Sequence, residues 1–328
     1  MPHQRHKSAG GTIFVGISGW TYAPWRGTFY PDELAQKNEL PYASAMLPSI
    51  EINGTFYGLQ RPKIFAAWHD QTPAGFVFSV KAPRFITHLR RLREVQAPIA
   101  NFLLSGVLRL KEKLGPILWQ FPPNMRFMPD VFETFLSQLP HSTKAAAKLR
   151  KHCDPRMKGR TWAAVDSDRP LRHAVEIRHE SFATEAFVQM LRKHHVALVT
   201  ADTAGKWPML HDVTADFIYV RLHGAEELYA SGYTDAALKK WAAKIRAWSS
   251  GGDIAAEKHV GGPPTKLTTR DVYVYFDNDI KVRSPFDAAR LAVMLGLRQG
   301  PLEEAGRPRA KEVPRPQWPA VHGAEGSK

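Results

Sequence analysis

Carboxylates, an imidazole and fixed cations recur in this chain at one kind of place, the last residues of short apolar runs. TIFVGIS ends on Ser18, SIEIN on Glu51 and Asn53, FVFSVK on Lys81, and PILWQF carries Gln120. AVEIR ends on Glu176 and Arg178, VALVTAD on Asp202, FIYVRLH on Arg221 and His223, and VYVYFDN on Asp277 and Asn278. A carboxylate beside a cation and another held apart acquire separated pKa values, which acid–base work requires. The expected catalytic groups are therefore Glu51, Glu176, Asp202 and His223, with Glu176 and Glu51 as the acid–base pair. Lys81, Arg178 and Arg221 suit a substrate phosphate or carboxylate, Arg through a bidentate pair. Ser18, Trp20, Tyr22, Asn53, Tyr57, His88, Gln120, Asp277 and Asn278 complete the expected substrate-binding set. Trp20, Tyr22, Trp25, Phe56 and Tyr57 can form an aromatic wall for a sugar or base.

Two other chemistries fit some of the same residues. Glu176, Asp202, His223 and Asp277 come from consecutive runs, and oxygen ligands with one imidazole suit Mn, Mg or Zn. Arg178 and Arg221 lie two residues from two of those ligands and would crowd a cation, so no metal ligand is assigned and the cofactor stays unknown. Alternatively the charges neutralise one another as an internal network, Glu176 with Arg178 or Glu51 with Lys81, since a buried charge left alone costs several kcal/mol. Gly16-Ile17-Ser18-Gly19 is not a nucleophile elbow, and no phosphate-binding loop or G-x-G-x-x-G follows any run. Cys153 sits in a basic stretch that can lower a thiol pKa, or is an incidental thiol.

Helix-length stretches separate most of the runs. Strand then helix, repeated about eight times, is the signature of a single α/β domain, a (β/α)₈ TIM-type barrel, whose chemistry sits at the carboxyl ends of the strands. In AVEIR, Val175 and Ile177 oppose Glu176 and Arg178; in FIYVRLH, Ile218, Val220 and Leu222 oppose Tyr219, Arg221 and His223. The aliphatic face packs outward on helices, leaving the polar set inside. The same parity assigns Lys81 with Ser79, Gln120 with Leu118, and Asp202 with Thr200 to the inner side. It leaves open which of Asp277 and Asn278 faces in. Helices are expected over RPKIFAAWHD, NFLLSGVLRLKEKLG, ESFATEAFVQMLRKHH, TDAALKKWAAKIRAW (with Thr234 as N-cap) and DAARLAVML. Residues 1–11 read as a flexible lead, 12–298 as the barrel domain, and 299–328 as a disordered tail rich in Pro, Gly, Ala and charge.

Of 328 residues 44% are hydrophobic, enough for a large core. One cysteine precludes an internal disulfide framework and suits a reducing compartment. The polar N-terminus lacks the apolar centre of a signal peptide, and no run approaches a membrane helix. A cytoplasmic protein without membrane attachment is expected, its oligomeric state open. The net charge of +14 is concentrated at 81–93, which holds five bases and no acid, and at 139–172. Such stretches attract small anions or nucleic acid, or form a solvated face. The leading expectation is an enzyme on a small polar or anionic substrate, a sugar or nucleotide derivative. The alternative is nucleic-acid or anion binding without catalysis, through 81–93 and 144–160.

Several of these strings occur together in one family. GISGWTYAPWRGTFYP, EINGTFYG, FSVKAPRFITH and LWQFPP, followed by AVEIRHESF, ADT, YVRLHG and YVYFDND, resemble the YecE-like family, a domain of unknown function. The resemblance runs over about 12–295. It implies a closed or nearly closed TIM-type barrel and brings no established reaction. The family-like positions are Ser18, Trp20, Tyr22, Glu51, Asn53, Phe56, Tyr57, Lys81 and His88, then Gln120, Glu176, Arg178, His179, Asp202, Arg221, His223 and Asn278. The family usually has two asparagines where this chain has Asp277-Asn278, and Ile280-Lys281-Val282-Arg283 replace its usual Gly and Ala positions.

Overall fold

The computed structural model describes residues 10–229, 231–254, 257–278 and 282–300, together with Leu302 and Trp318. Eight parallel strands close into a barrel, each paired with its neighbour in sequence and the last with the first. They are β1 (Ile13–Ser18), β2 (Ser49–Ile52), β3 (Val77–Lys81), β4 (Leu114–Gln120), β5 (His173–Glu176), β6 (Ala197–Asp202), β7 (Phe217–Leu222) and β8 (Asp271–Phe276). The helices are α1 (Glu39–Met46), the single turn α2 (Gly54–Tyr57), α3 (Pro62–Asp70), α4 (Gln96–Leu104) and α5 (Pro129–Ser137). They continue with α6 (Thr143–Lys148), α7 (Glu185–Lys193), α8 (Asp235–Ser249) and α9 (Ser284–Met294). Thr234 caps α8 as expected, its hydroxyl accepting from the Ala237 amide.

The strand–helix alternation fails once. Residues 203–216, between β6 and β7, hold neither helix nor strand. This connection lies along the outside of β6 instead: Thr200 donates to the Leu210 carbonyl, and Thr214 both accepts from Leu198 and donates to Val196. Leu210 and Val213 bury there in place of a helix face. In the stretch expected to be disordered, Trp318 packs its ring near Phe76 and donates to the Ser44 carbonyl. The expectations for residues 1–9, for Ile280-Lys281 and for most of the tail concern residues outside those described.

Alternation places two cores. Aliphatic residues such as Ile50, Ile52, Val175, Val220 and Val274 pack outward with the helices, while Phe14, Leu118, Ala174, Phe217, Tyr219, Tyr273 and Tyr275 fill the barrel. The floor is closed by Arg172, which lies over the Phe217 ring and pairs with Asp271 and Tyr273. Above it, Tyr275 and Tyr219 bond Ser49 and Ser79. The inward-facing polar groups stand on this aromatic layer. Gly16 shares the inward parity, and only glycine fits: a Cβ there would sit 2.1 Å from the Ser49 carbonyl oxygen of the paired strand.

On the outer face of β5, His173 is fully buried, Nδ1 accepting from the Trp119 indole and Nε2 donating to the Pro140 carbonyl. Burial pushes its pKa down to about 3. The unfolded chain takes a proton near pH 6.5 and the folded one does not, so stability from this site is full above about pH 6.5 and falls as pH drops toward 3. The slope is about 1.4 kcal/mol per pH unit. Denaturation of His173→Gln across this window should show a shallower decline than the parent; an unchanged slope would refute the assignment.

Candidate active site at the barrel mouth

Arg221, fully buried on β7, is the centre around which the mouth is built. Its Nη2 and Nε donate to both oxygens of Glu51, at 2.8 and 3.1 Å. Nη1 donates to Glu176 Oε2 at 2.6 Å, and Nη2 also reaches Asp277 Oδ2 at 2.8 Å. One guanidinium thus ties the ends of β2, β5, β7 and β8. Burial alone would weaken its charge, but Glu51, Asp277 and Glu176 outweigh that and hold its pKa well above the usual value.

The two carboxylates expected to do acid–base work are already occupied. Glu51 also accepts from Ser18 at 2.9 Å and from the Tyr219 hydroxyl at 2.6 Å, so four donors fill its acceptor capacity. Glu176 also accepts from Gln120 at 3.0 Å and from Arg178 Nε at 2.8 Å, with His223 Nε2 3.9 Å away. Burial would raise the Glu176 pKa, but Arg221 and Arg178 override it and hold the acid well below the carboxylate range. Both side chains have no exposure. Their geometry is that of anchors for cations, not of groups that exchange protons with a substrate.

The other expected residues divide in two. Asp277, not Asn278, faces the cluster: Oδ2 is shared by Arg221 and by His223 Nδ1, 3.1 Å away, and among the described residues no group bonds Oδ1. Burial opposes the Asp277 charge, but Arg221 and His223 hold its pKa below the usual range. Asn278 turns behind the barrel, donating to Asp287 and Ser231 and accepting from Ser284. Asp202 does not face in either. Ala197, Val199 and Ala201 occupy the inner face of β6, so Asp202 points outward, accepting from Tyr233, and burial raises its pKa. Small residues are required inside β6 because Tyr219, Tyr273 and Tyr275 already fill that space. His223 is fully buried, its pKa lowered by burial and then by Arg221.

The suggested metal set does not converge. Asp202 faces away, and the Arg221 guanidinium lies against both Glu176 and Asp277. The aromatic wall is also smaller than expected. Trp20 packs edge-on against Trp68, Trp25 is buried against Phe29 and Tyr30, and Tyr22 leans on Trp25 at an interplanar angle of 40° while donating to the Ser18 carbonyl. Phe56 and Tyr57 remain at the mouth with His88, whose ring meets Phe56 edge-on at 5.1 Å. Two aromatic neighbours lay beyond the reach of strand parity because loops carry them: Trp207, 4.0 Å under Arg178, and Tyr229, whose hydroxyl accepts from Arg178 at 3.2 Å. Tyr219 shares Arg221's inward parity and was within that reach.

Lys81 is the exception to this saturation. It ends β3 at 8% exposure, its ammonium 4.4 Å above the Phe56 ring, and among the described residues nothing hydrogen-bonds or ion-pairs with it. Burial, then Arg221, pulls its pKa down to about 8. Asn53 Oδ1 is buried without a donor among the described residues. Burial first, then Lys81, Arg178 and Arg84 against the opposing Glu176, lower the His88 imidazole to about 4. The opening is electropositive. Cys153, by contrast, is half-buried and its thiol pKa is raised, so the surrounding bases do not activate it.

The sequence profile of the family described as "Protein of unknown function DUF72" matches residues 14–312. UPF0759 protein YunF of Bacillus subtilis (strain 168) is 29% identical over 34% of this chain and 40% of its own length. UPF0759 protein YecE of Escherichia coli (strain K12) is 26% identical over 42% of this chain and 48% of its own. These matches span less than half the length of either relative. A DUF72 family protein of Thermotoga maritima, known from its crystal structure, superposes with a TM-score of 0.66 at 24% identity, covering 87% of this chain and 99% of that one. Another from Enterococcus faecalis gives 0.63 at 17% identity, over 92% and 100%. These likenesses show a shared fold.

Proposed function

We propose that this chain, which belongs to the DUF72 family of proteins of unknown function, is an enzyme acting on a small, polar, anionic substrate at the mouth of its barrel, with Lys81 as the group that meets it. One observation carries the reading: Glu51 and Glu176 are held by Arg221, Arg178 and neutral donors of the barrel, whereas the Lys81 ammonium has no partner among the described residues. A buried cation without a partner is costly, and such sites are kept where a ligand completes them. With a pKa of about 8, Lys81 gives and takes protons near neutrality, the range in which acid–base catalysis is most effective. Arg178 at the rim and the Asp277 Oδ1 acceptor would orient the substrate. Glu51, Glu176 and Arg221 hold the field in which Lys81 works.

The reading is tested by calorimetry and thermal shift against inorganic phosphate, sugar phosphates and nucleoside monophosphates between pH 6 and 10. A ligand at about 100 times its Kd adds roughly 2.7 kcal/mol of stability. The phosphate's own second ionisation, at about pH 6–7, is accounted for first. An anion needs the charged amine, so affinity for the dianion should be constant below pH 8 and fall up to about tenfold per unit above it, with proton uptake by the amine on binding near pH 8. Binding indifferent to pH across 7–10, or none to any of these anions, would overturn it.

A further inference from the structure

Beside the mouth, and sharing Phe56 and Tyr57 with it, lies a second concavity. It is a groove of about 330 Å³ between the turn that follows β2 and the segment that follows β3, lined by Tyr57, Leu59, Arg84, Phe85 and Leu89 over Pro98. Its apolar side chains are unusually open: Tyr57 is 72% exposed, Leu89 68% and Phe85 48%. Exposed apolar patches rimmed by charge mark binding sites more often than accidents.

Three observations specify the occupant. First, the groove is continuous with the mouth. Phe56 lines the groove and also carries the Lys81 ammonium on its face, and His88, edge-on to Phe56, belongs to the same π-helical turn (Phe85–Leu89) as Phe85 and Leu89. Wide turns of this kind recur at functional sites. Second, its charge has one sign. Arg84 lies over Tyr57 at 5.7 Å and Arg90, paired with the exposed Glu94, over Phe85 at 5.9 Å, and among the described residues no carboxylate lines the groove. Third, it is preformed. Ile86, Thr87 and Leu92 bury beneath the segment, and Arg91 clamps Asn124. Arg91, Leu92 and Glu94 are held at φ of 49°, 66° and 51°, a strained conformation that persists only where the surroundings enforce it.

We infer that the groove is a subsite for a flat aromatic or apolar body attached to the anionic head that Lys81 receives, so the ligand is a small molecule with both parts. The inference rests on the mouth reading and adds the ligand's second half. The volume holds one ring system of two fused rings, not a macromolecular segment. Tyr57 and Phe85 offer ring faces, and Arg84 adds cation–π and charge attraction.

The test compares inorganic phosphate, 1-naphthyl phosphate and a twelve-nucleotide uridine RNA by calorimetry, on the parent chain, Lys81→Met, and a Phe85→Ala/Leu89→Ser double variant. Both substituted groove residues are solvent-facing, and retained circular dichroism confirms the fold. The expected result is naphthyl phosphate binding at least tenfold tighter than phosphate. The double variant should erase that gain and leave phosphate unchanged, and Lys81→Met should lose both ligands. Phosphate binding with no naphthyl gain, or a gain that the double variant keeps, overturns the subsite and leaves the mouth reading standing. Failure of both phosphate ligands overturns the two together. RNA binding that is steeply salt-dependent and lost in the double variant, without any naphthyl gain, replaces the small molecule by a nucleic-acid occupant and overturns the proposal.

Discussion

Arg221→Met is expected to destabilise the barrel by about 3–5 kcal/mol, the range seen when one partner of a buried ion pair is removed, and more if all three acids stay charged. Methionine fills much of the volume, so a cavity contributes little. The loss comes from Glu51, Glu176 and Asp277, three carboxylates buried together with one cation between them. At this chain length the melting temperature should fall by roughly 4–7 °C. The pH dependence separates charge from packing. Without the guanidinium, burial is left to raise the Glu176 and Asp277 pKa values above their unfolded values of about 4. Their contribution is then favourable only when they are protonated, below about pH 4, and is lost as pH rises. The variant should therefore lose least, relative to the parent, in mild acid. A deficit constant from pH 4 to 8 would mean that packing, not charge, explains the position.

Lys81→Met should do the reverse. The folded-state pKa of about 8 lies below the unfolded value near 10.4, so the ammonium costs the fold about 3 kcal/mol at neutral pH. That cost is full below pH 8 and fades as pH approaches 10.4. Methionine keeps the contact with Phe56 and removes the charge, so the variant should be more stable than the parent by about 1–3 kcal/mol at pH 7 and equal to it near pH 10.5. It should also lose anion binding by at least a hundredfold. Greater stability with lost binding is the mark of a residue kept for function. A variant that melts lower than the parent at pH 7 would show that Lys81 holds the fold together.

How much of this was legible in the sequence depends on which interaction decided each position. Strand identity and inward parity were readable where one face is aliphatic and the other polar, as at Ile50/Glu51 or Val220/Arg221, because a period of two leaves one register. Parity failed at β6, where ALVTAD is small or apolar on both faces and Asp202 alone suggested a direction. There the bulk of Tyr219, Tyr273 and Tyr275 decided the facing, a fact about other strands. At Asp277-Asn278 pattern gave no decision; the Arg221 guanidinium drew Asp277 in, and Asp287 and Ser284 took Asn278. Residue type marked Glu51 and Glu176 as reactive. Only the hydrogen-bond geometry shows that their acceptor positions are taken and that the open group is the lysine, since saturation is a property of neighbours far apart in the chain. The helix absent from 203–216 and the aromatic neighbours Trp207 and Tyr229 belong to connections without periodicity, which carry little signal.

The most direct measurement is competitive acetylation of the native chain by acetic anhydride from pH 6 to 11, with the rate at each lysine read by mass spectrometry. It needs no knowledge of the substrate. Reactivity at Lys81 should rise with pH and level off with an inflection near 8, well below the inflection at about 10.4 of an ordinary exposed lysine. An inflection at Lys81 above 10, or an amine protected at every pH until the protein unfolds, would contradict the claim that Lys81 is the open, titrating group of the mouth.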